Sequence, residues 1–117
     1  MAEAWDIEGT DQFADWYGSL DDHQQKAVET AVEKLAEIGP ALGRPLVGEI
    51  VNKLIPHLKE LIPPGGNLRI LFTFDPRRMG ILLVGGDKTG NWKGWYREAI
   101  QQAARLYADY LKETGEK

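Results

Sequence analysis

The chain has 117 residues and a formal net charge of −4; 43% of its residues are hydrophobic, 27% are charged and none is cysteine. This composition is that of one ordinary globular domain spanning residues 1–117, and the lack of cysteine excludes disulfides and thiolate metal sites. The longest apolar run, Ile81–Val84, is too short to span a membrane, and the N-terminus does not resemble a signal peptide. No membrane association and a cytoplasmic location are therefore expected.

The charge is unevenly distributed along the chain. Residues 1–43 carry ten acidic side chains and two lysines, for −8, whereas residues 44–97 carry nine Lys or Arg and four acids, for +5. Residues 98–117 contribute −1. Either the helices simply carry solvated acids, or the basic half of a dipolar molecule faces a polyanion.

The first half of the chain predicts one strand and two helices. Residues 4–7 alternate apolar and polar side chains, which favours a short edge strand. Thr10 or Asp11 can cap a helix, and a second helix is expected from Asp21-Asp22 to the stop at Gly39-Pro40, antiparallel to the first. The apolar stripe of the first helix is expected to be core; it consists of Phe13, Trp16, Tyr17 and Leu20.

The middle of the chain predicts a central hairpin. After a stretch punctuated by proline and glycine, with a short helical turn or irregular strand expected at 49–54, a candidate strand follows at His57–Leu61. Leu68–Phe74 and Met79–Gly85 predict two central strands with both faces covered, because nearly every position is β-branched or large and apolar. Asp75-Pro76-Arg77-Arg78 has the preferences of a type I turn.

The C-terminal part predicts a loop and a last helix. Residues 85–90 form a glycine-rich stretch that lacks the spacing and the Gly-Lys-Ser/Thr ending of a phosphate-binding P-loop. Asn91 can cap a helix with a wide apolar face. The predicted order is β-α-α-β-β-β-α, an α+β domain with a small, mainly antiparallel sheet packed on helices.

The basic half places cations at the ends and edges of the predicted strands. They are Lys59, Arg69, Arg77, Arg78, Lys88, Lys93 and Arg97. Trp92 and Tyr96 are interleaved with the last of them, a mixture that suits single-stranded nucleic acid, with phosphates on the cations and bases on the rings. The alternatives are a solvated turn for Arg77 and Arg78, a surface strand residue for Lys59, and core packing for Tyr96.

Familiar catalytic sets are largely missing. There is no cysteine nucleophile and no Gly-x-Ser-x-Gly elbow, and His23 and His57 are too few for a paired-histidine ribonuclease. The carboxylates of the basic half show no metal-ligand spacing, so neither a metal nor another cofactor is expected. An enzyme acting on a polyanion would use a lysine whose pKa is lowered by neighbouring cations, with arginine stabilising the phosphate. Arg69 is the strongest candidate for a functional residue, because a charge inside an apolar strand requires a partner or a solvent-open site.

Four segments of the basic half, in their order and spacing, resemble a known family. They are HLKEL (His57–Leu61), LRILFTFDPRR (Leu68–Arg78), ILLVGGDKTGNW (Ile81–Trp92) and WYREAI (Trp95–Ile100). With FADWY at residues 13–17, they resemble the RelE/HigB-type toxins of bacterial type II toxin–antitoxin systems, in particular the phage-derived Gp49-like branch. The resemblance implies the RelE/ParE-like α+β fold. It also implies a metal-independent endonuclease that cuts mRNA on the ribosome by 2′-hydroxyl attack on the adjacent phosphate.

The resemblance implies roles for individual residues and partners. Lys59 matches the family's strand lysine, a candidate base, and Arg69 its phosphate-stabilising arginine. Lys88 and Tyr96 match a basic residue after the last strand and a tyrosine near the C-terminus. The further candidates for RNA contact are Arg44, Lys53, His57, Arg77, Arg78, Trp92 and Lys93. The implied partners are mRNA, the ribosome and a cognate antitoxin, often a helix-turn-helix protein of the HigA type.

One position departs from the family pattern. Members of this branch commonly continue the strand as Lys-Glu-Leu-Arg, whereas Ile62 stands here in place of that arginine. Either Lys53, Arg44 or Arg77 substitutes for the cation, or this copy is inactive and only binds its antitoxin. A related branch with the same fold inhibits DNA gyrase, and the fold alone does not distinguish the two targets.

Overall fold

The computed structural model describes residues 4–115 of the chain. In chain order the elements are β1 (Asp6–Gly9), α1 (Asp11–Gly18), α2 (Asp22–Ile38), a 3-10 turn (Gly39–Ala41), β2 (Val47–Glu49), β3 (Lys59–Leu61), β4 (Leu68–Phe74), β5 (Met79–Asp87) and α3 (Trp92–Thr114). The α+β class is confirmed, with one more strand, β2, than the predicted order contains. None of the helices in this described part has the length and apolar character needed to cross a bilayer.

The strands form one mixed sheet in the order β1-β5-β4-β3-β2. β1 runs parallel to β5 at one edge, and the other neighbouring strands are antiparallel. The predicted N-terminal edge strand is confirmed, although it runs from Asp6 to Gly9 rather than over residues 4–7. The pairing of β4 with β5 shifts between Leu71 and Phe72, which pair with Val84 and Leu82, so Leu83 is the extra residue of a bulge.

Both faces of the sheet are covered, as the two apolar strands predict. The core under α1 and α2 includes Val28, Ala31, Leu35, Leu61, Leu68, Ile70, Phe72 and Leu82. The core under α3 includes Leu58, Leu71, Ile81, Leu83, Val84, Ala99 and Ala103. Because successive side chains of a strand point to opposite faces, Ile70 and Phe72 face α1 and α2, whereas Arg69 and Leu71 face α3. This alternation decides which polar residues can meet.

Local interactions fix the helices. Thr10 caps α1 by accepting a hydrogen bond from the Phe13 N–H at 3.1 Å, one of the two predicted caps. Asp21 caps α2 in a capping box with Gln24, and α2 ends before Gly39, whose φ is 77°. The predicted apolar stripe of α1 is half-buried and packs against the first core, so its expected packing role is confirmed.

Two local predictions differ from the structure. Of the short helical turn or irregular strand expected at 49–54, the structure has a strand, β2, but at Val47–Glu49, because pairing with β3 sets its position. Gly86 and Asp87, predicted only as loop residues, belong to β5, and so does Gly85, which ended the predicted strand and began the predicted loop. Gly85 and Gly86 are required there because Trp16 and Trp95 occupy the space in which their Cβ atoms would lie. Tertiary packing of the two tryptophans thus overrides the low strand preference of glycine.

The β4–β5 connection is a tight turn with an added left-handed residue. The Arg78 N–H donates to the Asp75 carbonyl at 3.2 Å, and the Asp75 N–H donates to the Met79 carbonyl at 2.8 Å. Arg78 has a φ of 70°, a left-handed conformation that the type I turn prediction does not include. The Asp75 carboxylate also accepts from the N–H groups of Arg77 and Met79, at 2.8 and 3.1 Å.

Candidate active site

A solvent-open cavity of about 560 Å³ lies on the α3 side of the sheet, between β2–β4 and the N-terminal half of α3. Its lining consists of Arg44, Glu49, Ile50, Val51, Glu60, Ile62, Arg69, Lys88, Trp92, Lys93, Tyr96 and Ile100. The cavity therefore brings together six of the predicted site residues: Arg44, Arg69, Lys88, Trp92, Lys93 and Tyr96.

Arg69, Glu60 and Tyr96 form a polar network at this cavity. The Tyr96 hydroxyl donates to Glu60 Oε1 at 2.5 Å, and Arg69 Nε lies 3.5 Å from the same oxygen. Arg69 Nη1 also donates to the carbonyls of Leu68 and Gly66, at 2.7 and 3.4 Å. The side chains of Arg69 and Glu60 are only 13% and 11% exposed, so most of each side chain is packed against the protein. Their charged groups are thereby positioned at the wall of the cavity. Glu60 is the partner that a charged residue in a central strand requires.

Burial, and next to it the hydrogen bond to Glu60, raises the pKa of Tyr96 to about 12. Both causes favour the neutral phenol, since the ionised form would be desolvated and would lie beside a carboxylate. Tyr96 is therefore a hydrogen-bond donor at neutral pH and not a base. The alternative of pure core packing is insufficient for this residue, because its hydroxyl reaches the cavity lining.

The register of β3 separates Glu60 from Lys59. Glu60 pairs with Leu71 and faces α3, whereas Lys59 pairs with Phe72 and faces α2. Lys59 Nζ donates to the carbonyl of Pro40 at 3.1 Å. The structure thus does not bring Lys59, the predicted base, into the cavity, and its immediate neighbour in the chain takes that position.

Two cations of the cavity are available to an anion. Over residues 4–115, the side chains of Arg44 and Lys88 form no hydrogen bond or ion pair with the protein. The Arg44 guanidinium lies over Gly48, where an added Cβ would be 2.8 Å from Nη2. Ile62, which stands where the resemblance implies an arginine, lines the same cavity. Of the three proposed substitutes for that cation, Arg44 is the one that lines the cavity.

Aromatic residues at the start of α3 form the opposite wall. Trp92 is 53% exposed, and its ring meets Tyr96 edge to face at 6.4 Å. Trp95 also contacts Tyr96 edge to face, at 4.9 Å, and packs on Gly86, the residue opposite Arg69 in the sheet. The ring of Tyr96 therefore contacts two indoles, which restrict the position of its hydroxyl.

The other predicted residues lie elsewhere. Arg77 Nη2 lies 3.2 Å from Asp75 Oδ2 and donates to the Tyr110 hydroxyl at 2.7 Å, at the opposite end of α3 from the cavity. The Arg78 guanidinium lies 4.0 Å from the centroid of the Trp5 ring. Exposed Lys53 and His57 are not part of the cavity lining. These residues therefore add no further cation to the cavity lining.

Sequence reasoning did not identify Glu60 as a site residue. Its spacing from the other carboxylates does not match that of metal ligands, so it was not a candidate for a metal site. The alternation of side chains along a strand did offer a signal, because Glu60 has to face the opposite side of the sheet from its neighbours Lys59 and Leu61. No group of three or more metal-ligating His, Asp or Glu side chains occurs within residues 4–115.

Sequence comparisons identify related proteins. The family model described as phage-derived protein Gp49-like matches residues 15–108. “Putative toxin HigB3” of Mycobacterium tuberculosis is 43% identical over 96 residues, covering 82% of this chain and 84% of that protein. “Putative toxin HigB2” of the same organism is 41% identical over 99 residues, covering 82% of this chain but 49% of that protein.

Solved structures share the fold at low sequence identity. A chain of the archaeal RelE–RelB complex from Pyrococcus horikoshii matches with a TM-score of 0.61 and 11% identity, over 74% of this chain and 98% of that chain. A chain of the M. tuberculosis toxin–antitoxin complex RelBE2 matches at 0.56 and 15%, over 72% and 98%. A double arginine-to-alanine mutant of Escherichia coli toxin RelE in the free state matches at 0.55 and 12%, over 87% and 96%. The chain therefore belongs to the phage-derived Gp49-like family and is a RelE/HigB-type toxin in sequence and fold.

Proposed function

We propose that this toxin is a metal-independent, ribosome-dependent mRNA endonuclease. The observation that supports it is the convergence of cations and a Glu60–Tyr96 pair in one open cavity. Arginine and lysine bind phosphate oxygens and stabilise the charge that develops during phosphoryl transfer. A carboxylate beside them supplies an acceptor for a proton.

The proposed reaction is attack of an RNA 2′-hydroxyl on the adjacent phosphorus. Glu60 accepts the hydroxyl proton as the O2′–P bond forms, and Lys88 donates a proton to the leaving O5′ as the P–O5′ bond breaks. The products are a 2′,3′-cyclic phosphate and a free 5′-hydroxyl. This assignment gives Glu60 the role that the family resemblance gives Lys59, because Lys59 lies on the other face of the sheet.

Two residues prepare the site for this step. Arg69 holds the non-bridging phosphate oxygens, and its bonds to two main-chain carbonyls fix the guanidinium before RNA binds. Tyr96 orients the Glu60 carboxylate by donating a hydrogen bond from its protonated hydroxyl. Arg44 adds a phosphate contact in place of the arginine that Ile62 replaces.

The proposed partners follow from the same family. Two of the structural neighbours are chains of the RelE–RelB and RelBE2 toxin–antitoxin complexes. By analogy, we propose that this protein has a cognate antitoxin of the helix-turn-helix HigA type. An mRNA on the ribosome as target places the activity in the cytoplasm.

The test is induced expression in a bacterium, followed within minutes by 5′-end mapping of total mRNA. New cuts in translated regions are expected for the wild type and not for Arg69→Ala or Arg69→Gln. Arg97→Ala is the matched control, because Arg97 is an exposed cation of α3 that does not line the cavity. Thermal unfolding of the purified variants shows whether loss of cutting is due to loss of folding.

The outcomes distinguish the functions considered for this fold. Wild-type cutting by a folded Arg69→Gln variant would refute the proposed site. Growth arrest with intact mRNA would refute the nuclease and favour gyrase or another target. An absence of arrest would indicate an inactive copy, in which case Ile62→Arg tests whether the missing cation is the cause.

A further inference from the structure

Two exposed apolar side chains, Val51 and Trp92, lie at the cavity that contains the cations. Val51 is 99% exposed and Trp92 is 53% exposed, and both contribute to the lining. An apolar side chain in water contributes no burial to folding. A pair of them beside a charged cavity therefore indicates a surface that becomes buried when a ligand binds.

The loop that carries Val51 is held by hydrogen bonds from one side chain, Asn52. Asn52 Oδ1 accepts from the N–H groups of Leu54 and Ile55, at 2.8 and 2.7 Å. Asn52 Nδ2 donates to the carbonyls of Ile50 and Ile55, at 3.2 and 3.0 Å. Ile55 is buried in the core beneath, so the turn is attached to the body of the protein. The exposure of Val51 is thus a fixed feature of the fold.

Trp92 is held by its surroundings in a similar way. It is the first residue of α3, after the Asn91 cap, and the edge-to-face contact with Tyr96 sets its ring. Lys93 Nζ lies 5.5 Å from the centroid of the indole. An exposed indole with a cation beside it suits a planar group that carries negative charge nearby.

The charge around the pair selects the occupant. Arg44 and Lys88 line the same cavity and have no acidic partner in the described residues, which favours a polyanion. A nucleobase joined to a phosphate combines the two properties, since its ring face is apolar and its backbone is anionic. We propose that Val51 and Trp92 hold one unstacked nucleobase of single-stranded RNA between them, beside the cations that hold its phosphate. This inference rests on the proposed nuclease function and specifies where its substrate lies.

The pair predicts contact without strong base selectivity. Val51 has no hydrogen-bonding side-chain atom, and the face of an indole stacks on every base. The contact therefore contributes to the rate of cutting at all codons, and codon preference has to arise elsewhere.

The experiment is single-turnover cleavage of a synthetic mRNA in ribosomes stalled with a defined A-site codon. Each codon nucleotide is replaced in turn by an abasic ribonucleotide, which keeps the ribose, the 2′-hydroxyl and the phosphate. The wild type is expected to cut about tenfold more slowly at one abasic position. Trp92→Ala should cut the intact codon about tenfold more slowly, and Val51→Ser about fourfold more slowly. At that abasic position Trp92→Ala should lose no further rate, and Val51→Ser should lose only about 2.5-fold more, so that all three proteins converge on the same rate.

Leu54→Ser is the matched control for Val51→Ser. Leu54 lies in the same loop and is 56% exposed, but it is not part of the cavity lining. The cleavage rate of Leu54→Ser should therefore equal that of the wild type. Equal rates for Val51→Ser, Trp92→Ala and the wild type would overturn the inference and leave a protein partner as the occupant. A full additional loss at the abasic position in both variants would also overturn it. The Arg69→Gln variant distinguishes failure of this inference from failure of the proposed nuclease site, because wild-type cleavage by that variant would refute the nuclease site itself.

Discussion

Gly86 is the position where a small change tests how the fold supports the site. A Cβ at Gly86 would lie 2.1 Å from Trp95 Nε1, and a Cβ at Gly85 would lie 2.2 Å from Trp16 Cε3. Ordinary contacts begin near 3.4 Å, so Gly86→Ala requires a displacement of about 1.3 Å and Gly85→Ala a nearly equal one. The two substitutions therefore form a matched pair on opposite faces of one strand.

The two variants should lose similar stability. Overpacking of this kind costs about 1–3 kcal/mol, and the lower chain entropy of alanine returns about 0.5–1 kcal/mol. A net loss of about 1–2 kcal/mol is expected for each, which corresponds to a fall in Tm of about 4–8 °C in a domain of this size.

The two variants should differ in activity. Trp95 packs against Tyr96, so a shift of its indole moves the hydroxyl that orients Glu60. A misplacement of about 1 Å at a catalytic group can reduce a rate about a hundredfold. Gly85→Ala displaces Trp16 in the other core, where no cavity residue lies. Its cleavage rate per folded molecule should remain that of the wild type.

The assay combines urea unfolding, which gives stability and folded fraction, with single-turnover cleavage normalised to folded protein. Equal normalised rates for Gly85→Ala and Gly86→Ala would refute the link between Trp95 and the site. Unchanged stability in both variants would refute the packing argument itself.

Three further predictions concern other charged and polar groups. Lys59→Ala should cleave mRNA like the wild type in the same assay, whereas Lys88→Ala should lose about a hundredfold or more as the proposed acid is removed; equal losses would return Lys59 to the site. Burial raises the pKa of Asp75, but hydrogen bonds from Met79 N–H, the Tyr110 hydroxyl and Arg77 outweigh it and lower the net value. Asp75→Asn should therefore lose about 1–3 kcal/mol at pH 7. The difference from the wild type should shrink as the pH falls below about 4 and the carboxylate protonates; a gap independent of pH, measured by urea unfolding, would contradict this. The pKa values of Tyr96 and Tyr110 are both raised from 10.0 to about 12, chiefly by burial. The stability that their protonated forms contribute is complete below pH 10 and is lost as the pH rises through 12, so the double Phe variant should show a flatter alkaline unfolding profile than the wild type.

The architecture was predictable where local signals and packing agree. Leu68–Phe74 and the following strand read as central because their apolar residues leave no solvent face, and both cores confirm it. The sequence narrowed the cap of α1 to Thr10 or Asp11, and the structure shows that it is Thr10. The strand character of Gly86 and Asp87 was not predictable, because the need for glycine at 85 and 86 arises from two tryptophans that are far away in the sequence.

The site was predictable only in part, for a reason of register. Arg69, Lys88 and Tyr96 share a cavity, as their chemistry suggested, and Arg44, one of three candidate substitutes for the missing arginine, lines it too. The assignment of Lys59 rather than Glu60 depends on which strand face each residue occupies. A shift of one residue exchanges the two faces, and only the pairing of β3 with β4 decides between them.

The separation of the two cores also bears on how this protein can change over evolution. The cavity residues touch the core under α3, while the core under α1 and α2 lies across the sheet and holds its own set of buried side chains. Substitutions at well-separated sites have nearly additive effects on stability. Improved packing under α1 and α2 can thus offset the stability lost when rim residues such as Val51 and Ile62 are exchanged. The residues of the cavity can therefore change in evolution, and with them the molecule that binds there, while the core under α1 and α2 maintains the stability of the fold.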